Sequence, residues 1–187
     1  VAPYVDARLS DNTTILRDPV LALGAWAAEA DPRAPWRSEV FKRLTQLFLG
    51  PAEFPLGRER TMAALVASRD RNVSFIFRSG LQNADSRIRI LSAIGIGALG
   101  DPEMLIPLGE TLNDADPWVQ VAAAAALGAL GTKAALNYML QTLLTGHELA
   151  RRAVAEMLAT NIAGEGHDIL REAMAEQDPA TRRAAVY

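Results

Sequence analysis

From residue 72 onward the apolar positions recur with two periods at once, that of an α-helix and a longer one. Shifted by 31, this part of the chain overlays itself without gaps. Phe77, Leu108, Met139 and Leu170 coincide, as do Leu81, Leu112, Leu143 and Met174. Asp85, Asp116, His147 and Asp178 share a position, followed in two copies by Pro117 and Pro179. Arg89, Gln120, Arg151 and Arg182 form a further column, and Ile96, Leu127 and Leu158 another. Each copy reads as two helices. The second starts at the aspartate, whose carboxylate can accept from the free N–H groups of a first turn. Proline is tolerated at the next position because no helical bond is lost there. Within 116–131, Val119, Ala122, Ala123, Ala126, Leu127 and Leu130 line one face, and Gly100 and Gly131 read as C′ residues. The first helix is expected over 103–113, 133–145 and 165–176, with Met104, Ile106, Leu108 and Leu112 as its apolar stripe in one copy. Such short pairs cannot bury both faces alone, so stacking must supply the core. The expected fold is all-α: a right-handed α-solenoid, an elongated curved superhelix of about six helix pairs.

Residues 1–71 follow the pattern loosely. Leu9-Ser10-Asp11 matches Leu112-Asn113-Asp114, and Leu16-Arg17 matches Val119-Gln120, at an offset of 103 that leaves about ten residues over. The insertion is placed in 31–58, among Pro32, Pro35, Pro51 and Pro55. A helix from Trp36 to Leu49 fits there, with Val40, Phe41, Leu44, Leu47 and Phe48 apolar. It leaves an elongated loop at 50–57, a candidate binding loop. The chain reads as one repeat domain over 1–187. It opens inside a first helix and stops inside a second, at Ala184-Ala185-Val186-Tyr187. Neither end carries the polar cap a solenoid needs, so a piece of a longer array is expected. Apolar surface at Val186 and around Tyr4 and Val5 would then favour end-to-end self-association.

Leu112, Asp114, Asp116, Val119, Ala123, Ala124, Leu127, Gly128, Leu130 and Gly131 carry the repeat signature. It resembles the short HEAT-like repeats of the phycobilisome-lyase type, closely over 72–187 and loosely over 1–71. The signatures of ankyrin and tetratricopeptide repeats are absent. The resemblance implies a solenoid whose second helices line a concave face. It implies little chemistry, since such repeats occur in scaffolds, enzyme subunits and chaperone-like lyases.

Composition narrows the chemistry. Half the residues are apolar and 34 are alanine, which suits closely packed helices. The net charge of −3 argues against a globally basic nucleic-acid binder. Cysteine is absent and histidine is confined to His147 and His167, which leaves no thiolate site and no multi-histidine metal centre. The longest apolar run, Val119–Leu130 with Gln120 inside it, is too short to span a bilayer.

His147-Glu148 invites comparison with deoxyhypusine hydroxylase, a HEAT-like enzyme whose di-iron centre uses His-Glu pairs from several repeats. Here there is one pair, at an N-cap position, so capping is the simpler reading, with Glu148 favoured by the helix dipole. His167 reads as a helix-start residue. The column Arg89, Arg151 and Arg182 is either a basic binding stripe or a structural ladder between repeats; bidentate guanidinium geometry suits a ladder, and the resemblance to HEAT-like repeats favours it. Residues 58–89 hold seven arginines for a net +4, and 101–116 hold a net −5. A HEAT-like class of DNA glycosylases binds DNA on a basic concave surface, which this segment could resemble. Here the arginines fall on both helices of the repeat beside an acidic block, with only Phe75 and Phe77 as nearby stacking residues. No catalytic residue, metal ligand or cofactor site emerges.

The reading is a non-catalytic scaffold that binds a protein partner on the concave face. The alternatives are a lyase-like or chaperone-like subunit acting on a cofactor-bearing protein, and nucleic-acid binding through 58–89. On the second helices the core is expected at 88, 91, 92, 95, 96 and 99. That leaves 90, 94 and 97 on the outer face. The equivalent residues are Ile90 with Ile94, Val121 with Ala125, then Arg152 with Glu156, and Arg183: apolar in two copies and charged in the next two.

Overall fold

The computed structural model describes residues 2–10, 18–51, 55–160, 165–175 and 179–186, which are helical with no strand among them. Asp11, Leu16 and Arg17 of the N-terminal alignment, the capping position Asp178, and Tyr187 lie outside the described residues. The chain forms two compact units, Val1–Asn83 and Ala84–Tyr187.

The first unit holds α1 (Ala2–Leu9), α2 (Asp18–Trp26), α3 (Arg37–Leu49), α4 (Pro55–Ala67) and α5 (Val73–Leu81). In α3, Val40, Leu44 and Phe48 sit at i, i+4 and i+8 and are fully buried. Phe48 meets Phe77 of α5 edge to face, with ring centroids 5.4 Å apart. The expected loop at 50–57 is cut short, because α4 begins at Pro55, a residue that suits a first turn. The long connection lies earlier, at 27–36. It is pinned at its ends by Trp26 stacked on Trp36 at 5.3 Å, with Tyr4 edge-on to Trp26. Val5, expected on that surface, is buried, while Tyr4 beside it is exposed. The 31-residue register reaches back into α4. Thr61 and Leu65, equivalent to Ser92 and Ile96, are buried like them. α3 is out of that register by two positions, since Leu44 and Phe48 match Val73 and Phe77 at an offset of 29.

The second unit holds α6 (Ser86–Leu99), a 3-10 turn (Pro102–Met104), α7 (Leu105–Thr111), α8 (Pro117–Leu130), α9 (Lys133–Thr145), α10 (Glu148–Ala159), α11 (Glu165–Ala175) and α12 (Pro179–Val186). The second helices α6, α8, α10 and α12 pack side by side, and α7, α9 and α11 form the layer beside them. The helix expected over 103–113 is thus a 3-10 turn running into a shorter α-helix, and Pro107 falls within the latter's first turn. Local chemistry sets the other boundaries. The Asp85 carboxylate accepts from Arg87 N–H and that of Asp116 from Trp118 N–H, both at 2.9 Å. Gly100 and Gly131 close α6 and α8 in the left-handed region, at φ 65° and 60°. His147 occupies the N-cap of α10 with extended backbone, but its side chain makes no capping bond.

The core of this unit is a repeating set. Ile88, Val119, Ala150 and Thr181 are buried at one position, and Ile96, Leu127 and Leu158 at another. A further buried column, Ala93, Ala124 and Ala155, is absent from the core expected by sequence, whereas Leu91 and Leu99 remain half-exposed. The cause is that second helices bury a flank against one another as well as a face against the first helices. Small side chains there let the axes approach.

Candidate functional site

Two sets of repeated residues on the second helices can do something beyond filling the core. The first is the arginine column. Arg89 on α6 grips Asp114 of the following repeat with both ends of its guanidinium, Nε to Oδ2 at 2.8 Å and Nη2 to Oδ1 at 2.9 Å. Its Nη1 donates to the carbonyl of Ala84, before its own helix. Burial pushes the Asp114 carboxyl up. The Arg89 hydrogen bond, the Asp116 N–H and the Arg89 charge outweigh it and hold Asp114 below the usual carboxylate range. The hydrogen bonds that Arg89 donates to Asp114 raise its guanidinium in turn. Gln120 donates from Nε2 to the Asp114 carbonyl at 2.6 Å, so the same loop is held from both repeats. Arg151 donates to Gly146 and Leu144 carbonyls at 2.7 and 2.9 Å and to the Thr181 hydroxyl of the next repeat at 3.1 Å. Arg182 lies on α12 with an exposed side chain. The column also has an earlier member. Arg58, one repeat before Arg89, donates to the Gly50 carbonyl at 2.9 Å.

Arg58, Arg89 and Arg151 each satisfy carbonyls of the loop preceding their own helix, groups that a helix end leaves unpaired. Arg151→Ala is expected to lower stability by about 1–3 kcal/mol, for lost hydrogen bonds to half-buried carbonyls. Urea unfolding measures it. An unchanged midpoint would show that the bonds contribute nothing net.

The second set is the outward face of the second helices. Ile94 is 43% exposed and Ile90 half-buried. One repeat on, Val121 is half-buried and Ala125 exposed, and in the third copy Arg152 and Glu156 are exposed. The face also includes residues that the pattern of 90, 94 and 97 misses. Trp118, 67% exposed, and Leu149, 47% exposed, stand one turn before Val121 and Arg152. Their column, Arg87, Trp118 and Leu149, is legible in the 31-residue register once the position one turn before 90 is included. Position 97 does not belong to the face. A Cβ on Gly97 would lie 2.9 Å from Ala126 Cα, so this side of α6 is closed by α8.

The other candidates separate. His147 and Glu148 are both exposed at the start of α10. His167 lies in the first turn of α11 with Nε2 3.1 Å from the Ala159 carbonyl. Among the described residues no group of three His, Asp or Glu side chains is placed to hold a metal ion. Of the arginines in 58–89, Arg58 and Arg89 are engaged in the bonds above, while Arg69, Arg71, Arg78 and Arg87 are exposed. No helix among the described residues is long and apolar enough to cross a membrane.

Comparison with known proteins bears on the repeat. Residues 76–159 match the sequence family of HEAT repeats. No curated protein matches the chain. The match covers the paired helices from α5 to α10, the stretch in which the capping residues, buried columns and arginine positions recur with the 31-residue period. Over this stretch the helix pairs are similar to HEAT repeats, and the chain carries a HEAT-like repeat region there.

Proposed function

We propose that this chain is a non-catalytic scaffold that binds a partner protein across the outward face of α6, α8 and α10, the concave side expected of a HEAT-type stack. The observation that carries the reading is the exposure of Ile94, Trp118 and Leu149 on consecutive repeats. Positions facing water on a surface helix are ordinarily polar, and large apolar side chains grouped on one face mark interaction surfaces. An exposed tryptophan beside aliphatic residues and bordered by Arg152 and Glu156 has the layout of an interface centre with a charged rim. The arginine column, by contrast, is read as a structural ladder, since its bonds run to loop carbonyls, Asp114 and Thr181.

Ile94→Glu, Val121→Arg and Trp118→Ala test the face. Each lies outside the buried columns, so the melting temperature should change by no more than about 2 °C, as for surface substitutions. A protein captured by the parent chain should be lost from each variant. Retention of that protein by all three variants, with folding intact, would refute the assignment.

A further inference from the structure

We infer that the partner's segment carries carboxylates, and that a cleft at the start of α10 receives them; this rests on the reading of the outward face given above. The cleft has a volume of ≈ 460 Å³ and is lined by His147, Glu148, Arg151, Arg152 and Arg183 among others. Three guanidinium groups against one carboxylate give its walls a cationic balance. Its position ties it to the apolar face. Ile90, Val121, Arg152 and Arg183 occupy one repeat position in four successive copies, so the column turns from apolar to cationic along the stack. Arg152 and Arg183 are exposed on α10 and α12, and the cleft opens between them. Arg151, also in the lining, is held by the carbonyls of Leu144 and Gly146 and by the Thr181 hydroxyl, which fixes the orientation of its charge.

The chemistry of the walls selects the occupant. Arginine pairs with carboxylates through two parallel N–H···O bonds, and an arrangement of opposite charges fixes the register of a docked segment. In two other copies an aspartate side chain accepts from the first-turn N–H groups of the second helix, Asp85 for α6 and Asp116 for α8. In this copy the equivalent residue is His147, which makes no such bond. A carboxylate from outside the chain therefore meets guanidinium groups where the other repeats carry a carboxylate of their own. The segment that fits the whole face has apolar residues over Ile94, Trp118 and Val121, followed by glutamate or aspartate over Arg152 and Arg183.

The probe is N-acetyl-tetraglutamate amide, titrated into the isotope-labelled 187-residue chain and followed by the backbone amide resonances of Glu148, Leu149 and Ala150. Saturable shifts are expected there, and none with the tetraglutamine counterpart. Arg152→Glu combined with Arg183→Glu should weaken tetraglutamate binding at least roughly tenfold, and added salt should weaken it in the parent chain. If that double variant loses its cooperative melting, Arg183→Gln alone, with roughly threefold weaker binding, replaces it. Shifts that are absent, equal for tetraglutamine, or unchanged in the charge variants overturn the inference. Stronger shifts from an oligothymidylate of similar charge overturn it in favour of nucleic acid. Tetraglutamate carries no apolar side chain, so its binding tests the cleft, while Ile94→Glu and Trp118→Ala test the apolar face through the captured protein. Failure of the apolar face and failure of the cleft are therefore read separately.

Discussion

Arg37→Ala is expected to destabilise the N-terminal unit by about 3–5 kcal/mol, the range for removing one partner of a buried ion pair. Arg37 is only 7% exposed, at the first position of α3. One nitrogen, Nη1, donates to the carbonyls of Ala27 and Ala30, and Nη2 donates to the Asp70 carboxylate at 2.6 Å. The side chain thus satisfies the long 27–36 connection and the turn between α4 and α5 together. Alanine would leave buried carbonyls without a donor and a half-buried carboxylate without its counter-charge. Lysine keeps the charge but lacks the planar fork that reaches both directions, so Arg37→Lys should recover less than half of the loss. Urea unfolding, with hydrogen exchange along α3, measures both. A loss below about 1 kcal/mol for the alanine variant would mean that water replaces the guanidinium at no cost.

The same pair sets a pH dependence. Burial pushes the Asp70 carboxyl up, but the Arg37 hydrogen bond, the Asn72 N–H and the Arg37 charge prevail and hold it below its ordinary 3.8. A folded-state value below the unfolded one adds stability that is complete above the unfolded value and is lost as pH falls through the folded one. Asp114 beside Arg89 acts in the same direction. The stability advantage of the parent over Asp70→Asn should therefore be constant near neutrality and shrink once pH drops below 3.8. An advantage that persists unchanged well below that value would contradict the linkage.

Two glycines at one repeat position are expected to answer the same substitution with opposite signs. Gly97→Val should cost about 3 kcal/mol, at the upper end for overpacking. A Cβ at 97 would meet Ala126 Cα at 2.9 Å and its Cβ at 3.1 Å, and a backbone atom cannot swing aside as a side-chain end can. Even Gly97→Ala should be destabilising, despite a gain of about 1 kcal/mol in helix propensity. Gly128 lies one repeat on, and a Cβ there would meet Met157 Cβ at 3.5 Å, an ordinary contact. Gly128→Ala should therefore raise stability by about 0.5–1 kcal/mol, through propensity and the smaller unfolded ensemble. Thermal melts of the two alanine variants decide the matter, and a rise for both would show that α6 and α8 separate without cost.

The second-unit helices and most of their ends follow from residues that act within four positions of themselves. Asp85, Asp116, Gly100 and Gly131 do so, and α9 spans 133–145 as its apolar period requires. Caps and turns are local equilibria between a side chain and its neighbouring backbone, so one repeat read against the next is enough to find them. The 31-residue spacing by itself assigns Ile94, Val121, Arg152 and Arg183 to one face. What covers a residue is not local. Only the packing of α8 on α6 separates Gly97 from Ile94, three residues earlier on the same helix. Only tertiary contacts bury Val5 and Arg37, because the segment between α2 and α3 has no counterpart in the repeat against which its geometry could be read. The cleft beside α10 is likewise a product of packing. Its walls come from α10 and α12, whose residues Arg152 and Arg183 are a full repeat apart in sequence and become neighbours when second helices stack side by side.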